Sequence, residues 1–392
     1  MRLVIFTNNY KPVVGGIAVS IALFRQGLID VGHEVHIVTP EYQDYVDEEP
    51  YVYRIPALDL PGALSGSLAL PLKAPITTMI RGIKPAVIHS QQPYLMGDVA
   101  AALAQDLNVP LIWTFHTRYD MNVKEYVPIA PELATSVVNR VIKRYLEQCA
   151  HLVSPTASIQ DFIQRQYAPQ VPVSVVPTPI DLSEYSALEP QRVRAALAAE
   201  DNKLLMYVGR LAVEKNLDFL LRAFDKIATA CPRAQLVLVG KGLAEDDLRQ
   251  MAQELDLGER IIFTGAIPHD EVPHYAAAAD IFVFSSLTDT QGLVLMEAMA
   301  AGTPVVAVEA PGPVDVLAEG GGILVPAQED SFADAVCALL TDEERLHEMG
   351  DEAKRAAQRY SVPEATKRLL AVYEAAIARQ SQAMRGGNDC GP

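Results

Sequence analysis

Cysteine is scarce in this sequence: Cys149, Cys231, Cys337 and Cys390 stand far apart in 392 residues. Without paired spacing they argue against a structural metal site and for a reducing compartment. No apolar run approaches the roughly 20 residues that cross a bilayer. Residues 3–6 are apolar, but Asn8, Asn9 and Lys11 follow at once, which excludes a signal-peptide core. Positive charge is also short, and the formal net charge is −17. The deficit is uneven: residues 1–180 hold 13 Lys and Arg against 15 Asp and Glu, the remainder 19 against 34. An acidic second half excludes nonspecific nucleic-acid binding. Finally, the Gly15-Gly16 turn after the first apolar run lacks the full Gly-x-Gly-x-x-Gly pattern, which disfavours a dinucleotide-dependent oxidoreductase.

What is present is apolar and periodic. Half of the residues are hydrophobic, enough for two full cores, and the length suits two domains of roughly 150–200 residues each. Short continuous apolar runs read as strands at Leu3–Thr7, Val35–Thr39, Val52–Ile55, Val87–His89, Leu111–Phe115, Leu152–Pro155 and Val173–Val176. Helical patterns such as Ala18–Val31 and Gly97–Leu107 lie between them. The alternation restarts at Leu204–Val208, Leu236–Gly240, Ile261–Gly265, Ile281–Ser285, Val305–Val308 and Ile323–Val325. Buried strands followed by helices predict an α/β fold of two doubly wound parallel sheets. Pro177-Thr178-Pro179 reads as the linker, because proline ends regular structure and stiffens a hinge. The expected division is 1–178, 179–362, a helix over 363–380, and a flexible tail over 381–392, whose Arg385–Pro392 end is polar and Gly-rich.

Two doubly wound domains leave one natural ligand site, at the carboxyl ends of their strands. The most informative segment lies there. Thr288-Asp289-Thr290-Gln291-Gly292-Leu293 runs into Glu297-Ala298-Met299-Ala300-Ala301-Gly302, with Gly292 at an expected helix start. Free N–H groups and the positive end of the helix dipole make that start an anion site. Asp289 and Glu297 are eight positions apart, about two turns, on roughly one face. One acid can hold sugar hydroxyls, the amides a phosphate, and the other acid ribose hydroxyls. A capped helix with incidental acids would show the same pattern.

Three further elements sit at strand ends. Gly15-Gly16 follows the first strand and precedes a helix, as in a loop that approaches a diphosphate, although a plain strand–helix turn also needs glycine. Gly209-Arg210-Leu211 and Glu214-Lys215-Asn216 follow the strand Leu204–Val208. Arg210 can grip phosphate with two donors and Lys215 adds a compact charge, unless both are spent in ion pairs with Glu214 or Asp218. His116 closes the strand Trp113-Thr114-Phe115, where a side chain faces the ligand crevice.

These four elements, in this order and spacing over residues 1–378, resemble the family 4 glycosyltransferases of the GT-B architecture. The resemblance implies two facing Rossmann-like domains, a C-terminal helix crossing back to the first domain, and retaining transfer of a sugar from a nucleotide-sugar donor. It implies no bound metal and no cofactor, and no Asp-x-Asp motif ends a strand here. Carried over, Arg210 and Lys215 stabilise the leaving diphosphate, and Glu297 accepts ribose hydroxyls. Asp289 stands near the donor sugar, where the family usually has Glu; its shorter side chain draws the carboxylate back by about 1.5 Å unless the loop moves inward. The backbone of Gln291, Gly292 and Leu293 holds phosphate, with Gly15 and Gly16 opposite. His116 stands beside the reacting centre, and the backbone near Ile267 reads the base.

The segment from Thr288 to Leu293 is similar to the Thr-Glu-Thr-Gln-Gly-Leu form of bacterial diacylglycerol glucosyltransferases. His116-Thr117-Arg118-Tyr119-Asp120 with Tyr126-Val127-Pro128 resembles their acceptor segment, which makes Arg118, Tyr119, Asp120 and Tyr126 acceptor-site candidates. Sulfoquinovosyl-diacylglycerol synthases are similar through Arg210–Leu220. The expectation is therefore a UDP-hexose donor, with glucose transferred to diacylglycerol or a related lipid at a cytoplasmic membrane face. Between Asp59 and Asp98 nothing is acidic while Lys73, Arg81 and Lys84 are basic, and Lys143-Arg144 lies on an expected helix over Pro131–Gln148. Both features suit peripheral contact with an anionic membrane. Alternatives are transfer of sulfoquinovose or mannose, a soluble sugar acceptor, a nucleotide-sugar epimerase, or a non-catalytic nucleotide-sugar-binding protein.

Overall fold

The computed structural model describes residues 1–13, 15–42, 44–60, 66–69, 73–121, 131–197 and 201–388. The chain forms two compact units, Met1–Pro179 with Val362–Pro392, and Ile180–Ser361. Both are built on parallel sheets, for a local reason: most of their strands are largely apolar on both faces, so both faces must be covered. In β1 (Arg2–Phe6), Leu3, Val4, Ile5 and Phe6 are each at most 1% exposed. Their period of two sends Val4 and Phe6 to one core, Leu3 and Ile5 to the other.

The first unit continues with β2 (Glu34–Pro40), β3 (Val52–Ile55), β4 (Ala57–Leu60), β5 (Gly66–Ala69), β6 (Val87–Ser90), β7 (Leu111–Thr114), β8 (His151–Ser154) and β9 (Val173–Val175). Its seven-stranded sheet has the order β3-β2-β1-β6-β7-β8-β9. The register sets Leu3 opposite Val35 and Val87. Strands β4 and β5 form a separate antiparallel pair, which the sequence did not predict. Each is four residues long, too short for a clear alternation.

The helix Val362–Asn388 belongs to this first unit. Its Leu369, Val372, Tyr373 and Ala376 share a core with Leu3, Ile5, Ile37 and Val153. Tyr373 Oη lies 2.8 Å from His89 Nδ1, both groups buried. The helix does not stop at Gln380 or fray from Arg385 as expected, but runs to Asn388. Ser381, Gln382, Ala383 and Met384 contain no breaker, and the Gly386-Gly387 pair alone does not end it.

The second unit holds β10 (Lys203–Val208), β11 (Ala234–Val239), β12 (Ile261–Gly265), β13 (Ile281–Phe284), β14 (Val305–Val308) and β15 (Gly322–Val325). Their order is β12-β11-β10-β13-β14-β15. The helix Leu217–Ala230 shows how the sequence covers this sheet. Leu217, Leu220, Leu221, Phe224 and Ile227 recur at helical spacing, and all are buried. In both sheets the chain builds outward on one side and then jumps to the other, between β1 and β6 and between β10 and β13. The backbone parts at these switch points and leaves a crevice beyond the strand ends. The functional residues collect around them.

Candidate functional site

In the second unit, the turns after β10 and β13 are stitched together by side chains. Ser285 Oγ donates to the Lys215 carbonyl at 2.9 Å, Asn216 Nδ2 to the Ser285 carbonyl at 3.2 Å, and Ser286 Oγ to the Glu214 carbonyl at 3.2 Å. Asn216 takes a left-handed conformation, φ 55°, which asparagine tolerates better than most residues. These contacts bring Lys215 to Asp289. Its Nζ donates to both carboxylate oxygens, at 2.7 and 2.9 Å, with both side chains about four-fifths covered. Arg210 also meets an acid: its Nη2 donates to Glu214, which is buried while the arginine remains 69% exposed. The ion-pair alternative therefore holds for Arg210, and Lys215 joins the Asp289 carboxylate instead of Glu214 or Asp218. Both cations of the pair thus have carboxylate partners.

The loop from Asp289 ends on the helix Leu293–Ala301, whose N-cap is Gly292 with φ 82°. A side chain at that angle is strained, and a Cβ would come within 3.0 Å of Leu295. The helix has no acid in its first turn and no side-chain cap, so its leading amides are left for an anion. Gln291 is buried and donates from Nε2 to Met296 Sδ at 3.0 Å, so its side chain is engaged inside the unit. One turn further, Glu297 is only 6% exposed. Burial, helped by the nearby Glu184 charge, raises its pKa to about 7.

Two neighbours of this site were not among the residues singled out in the sequence. Gly312 is one: a Cβ there would meet the Asp289 carbonyl at 2.7 Å and Gln291 N at 3.0 Å. The helix Pro311–Val316 therefore presses directly on the acid-bearing loop. Replacing Gly312 with alanine should push that loop outward and weaken binding of nucleoside diphosphates about tenfold or more. Calorimetric titration measures this, with circular dichroism to check the fold; unchanged affinity would show that the loop can give way without cost.

Lys241 is another. It follows β11, its carbonyl accepts from Leu211 N at 3.0 Å, and its Cε lies 3.2 Å from where a Cβ on Gly265 would stand. An exposed cation thus lies between the Arg210 turn and the loop that reaches Ile267, itself packed against the core of this unit. The Gly240-Lys241-Gly242 pattern at a strand end was the legible signal.

In the first unit, Gly15 caps the helix Gly16–Asp30 without a side-chain bond or an acid in the first turn. A Cβ on either glycine would meet nothing within 4 Å. The protein's own packing does not demand them, so the openness of the backbone is available to a ligand. His116, just after β7, pairs through Nε2 with Gln91 Oε1 at 2.6 Å. A carboxamide oxygen only accepts, so Nε2 carries the proton. Burial lowers the His116 pKa to about 4, and the ring is neutral at ordinary pH. It can donate or accept a hydrogen bond but does not bring a charge.

The acceptor-site candidates are differently placed. Arg118 makes a two-pronged ion pair with Asp120, both bonds 2.9 Å, and lies 3.8 Å over the Phe162 ring. Tyr119 packs edge-on against Tyr94 and Phe115, and burial raises its pKa well above the usual phenol range. Tyr126 lies outside the described residues. Among the described residues, Arg118 and Asp120 hold one another, and Tyr119 joins an aromatic cluster.

Comparison with known proteins gives a consistent picture. Residues 14–184 match the family model for Glycosyltransferase Family 4, and residues 190–356 that for Glycosyl transferases group 1. The chain is 30% identical to the alpha-monoglucosyldiacylglycerol synthase of Streptococcus pneumoniae over 78% of its own length and 71% of that protein. It is 29% identical to the sulfoquinovosyl transferase SQD2 of Arabidopsis thaliana, over 90% of this chain and 69% of that one. HepE of Anabaena, solved with UDP-glucose, superposes with a TM-score of 0.76 at 20% identity, covering 96% of this chain and 100% of that one.

Proposed function

The chain belongs to the family 4 glycosyltransferases of GT-B type, and from that premise we propose that it moves a hexose, glucose in the first instance, from a UDP-sugar to diacylglycerol or a related lipid with retention of configuration. One observation carries the donor half of this reading: Lys215, Asp289, the open helix start at Gly292 and buried Glu297 lie along one short stretch of the second unit. That set offers cation, sugar-facing acid, phosphate-binding amides and ribose-facing acid in the order a nucleotide-sugar presents its parts. The lipid acceptor is supported by the names of two relatives, both alpha-monoglucosyldiacylglycerol synthases.

In the proposed reaction the bond from the anomeric carbon to the β-phosphate oxygen breaks, and a bond to the acceptor hydroxyl oxygen forms on the same face. The acceptor proton passes to the departing phosphate oxygen, so the protein supplies no general base. Its task is to take up the negative charge that develops on the diphosphate. Arg210, Lys215 and the amides of Gln291–Leu293 do this without a metal, and Gly15 and Gly16 leave the first unit's backbone open to a phosphate. Neutral His116 holds the donor sugar. Arg118, Tyr119, Asp120 and Tyr126 shape the acceptor side, and the backbone at Ile267 reads the base.

The test is direct. Labelled UDP-glucose incubated with diacylglycerol vesicles should give an α-linked, lipid-soluble product. If label appears only on a soluble sugar acceptor, or with another donor, the substrate assignment fails while the family stands. If nucleoside diphosphate-sugars bind but nothing is transferred, the chain is a binding subunit.

A further inference from the structure

His116 is held by a residue that no motif marks. Strands β6 and β7 pair with Ser90 opposite Trp113. The residues just past their ends, Gln91 and His116, therefore come side by side although 25 positions apart. Gln91 Oε1 accepts from His116 Nε2 at 2.6 Å. Gln91 is 4% exposed while His116 is partly exposed, so the carboxamide grips the ring from the protein's side.

The base of that grip is rigid. Gln91 N donates to the Phe6 carbonyl at 3.0 Å, which ties the turn to the end of β1. Ser90 Oγ donates to the Gln92 carbonyl at 2.6 Å, and Gln92 Oε1 accepts from Asn8 N at 2.8 Å. Behind them Gly97 packs so closely that a Cβ there would come within 2.0 Å of the Gln92 carbonyl oxygen. A side chain on so fixed a backbone sets the orientation of its partner.

We propose that Gln91 is a positioning residue for sugar transfer: its carboxamide fixes the His116 ring, proton on Nε2, without placing a negative charge behind it. This rests on the reading above that His116 stands beside the donor sugar. The choice of an amide matters because of the charge that develops there. As the bond to the diphosphate breaks, positive charge builds on the sugar ring. An imidazolium beside it would repel that charge, whereas a neutral imidazole does not. A carboxylate at position 91 would accept the same bond but stabilise the imidazolium. The other ionisable groups around the ring leave this balance to residue 91. His89, also from β6, is uncharged, because burial and the neighbouring His116 lower its pKa to about 3. Arg118 and Asp120, on the same turn as His116, bond one another at 2.9 Å. Burial keeps the Tyr119 phenol protonated.

Imidazole NMR of histidine-labelled protein should show His116 with its proton on Nε2 in the parent. Single-turnover transfer at saturating donor is then taken as a ratio to the parent at each pH, which removes any titration common to both. Gln91→Leu, which cannot accept the bond, should be about ten- to a hundredfold slower at every pH, with UDP affinity within about threefold of the parent. Gln91→Glu has the same shape with a charge, and should raise the His116 pKa from about 4 by about two to three units. Below that raised pKa the ring is charged. The glutamate variant should therefore be several-fold slower than the parent at about pH 6 and return to within about twofold at about pH 9. Its midpoint should match the His116 titration, a recovery that a merely structural bond would not give. A parent ring protonated on Nδ1, a leucine variant as fast as the parent, or a glutamate variant whose rate ratio ignores pH would each overturn the role of Gln91. If the parent moves no sugar to lipid, the acceptor assignment falls and the ring is read alone. Its NMR signals should still move on adding UDP-glucose but not UDP, and no movement would overturn this role as well.

Discussion

Replacing Lys215 with alanine is expected to lower turnover by about two to three orders of magnitude, the usual loss when one charge-stabilising donor leaves a transition state. The reason lies in how the lysine is held. Its ammonium is bound to both Asp289 oxygens and is four-fifths covered, so it is fixed on the loop that leads into the Gly292 helix start before any donor arrives. A pre-positioned cation need not be reorganised as the diphosphate departs. Arg210 should matter less. Its side chain is 69% exposed and leans on Glu214, so it must swing inward, and Arg210→Ala should cost about tenfold less than Lys215→Ala. Single-turnover rates with saturating donor separate the two. A Lys215→Ala enzyme within threefold of the parent, melting normally, would remove this cation from the chemistry. Asp289→Asn then tests the partner: freed from its acid, Lys215 should still support turnover while donor-sugar selectivity falls.

The affinity for nucleoside diphosphates should rise about tenfold between pH 6 and pH 8, and Glu297→Gln should flatten that rise. Burial places the Glu297 pKa at about 7. Ribose hydroxyls donate to a carboxylate, so binding favours the ionised form. Below pH 7 the proton must first be lost, which costs about one power of ten per pH unit. Stability should move the opposite way. The folded pKa of about 7 exceeds the ordinary 4.5, so between those values the folded chain holds a proton that the unfolded chain has lost. The contribution is fully present below about pH 4.5 and disappears as pH rises through 7, roughly 3 kcal/mol across the window. Melting curves at pH 5 and pH 8 should therefore show a parent that weakens relative to Glu297→Gln. Calorimetric titration of UDP in two buffers of different ionisation heat would register proton release on binding. Affinity that does not change with pH in the parent would mean that Glu297 is not the ribose acid.

The strands were legible because they are short, mostly apolar runs, and every one of the thirteen expected runs falls on a strand within about two residues at either end. Periodicity also revealed the helices that cover them. What it could not reveal was anything set by close approach between distant segments. Gly312 looks like an ordinary residue in a Pro-Gly-Pro turn, yet a single added carbon would collide with Asp289 and Gln291. The Lys215–Asp289 bond joins residues 74 apart in sequence, and hydrogen bonds from Ser285, Ser286, Thr288 and Asn216 hold the two turns together. Arg118 and Asp120 show the converse. Their types suggested binding, and the fold bonds them to one another. Charge reads poorly from sequence for the same reason: counting acids marked the stretch around Arg81 as basic, while the fold pairs Arg81 with Asp106.

The Val362–Asn388 helix has a consequence for synthesis. The sheet that starts at Arg2 emerges from the ribosome first, but Leu369, Val372 and Tyr373 complete its interior. Those residues are translated only after all of Ile180–Ser361. The earliest unit to appear is thus the last to close, and it waits with an uncovered apolar face while the later unit can already fold. Nascent chains of this protein therefore have a built-in interval in which chaperones find a binding surface, and it ends only when the final helix leaves the tunnel.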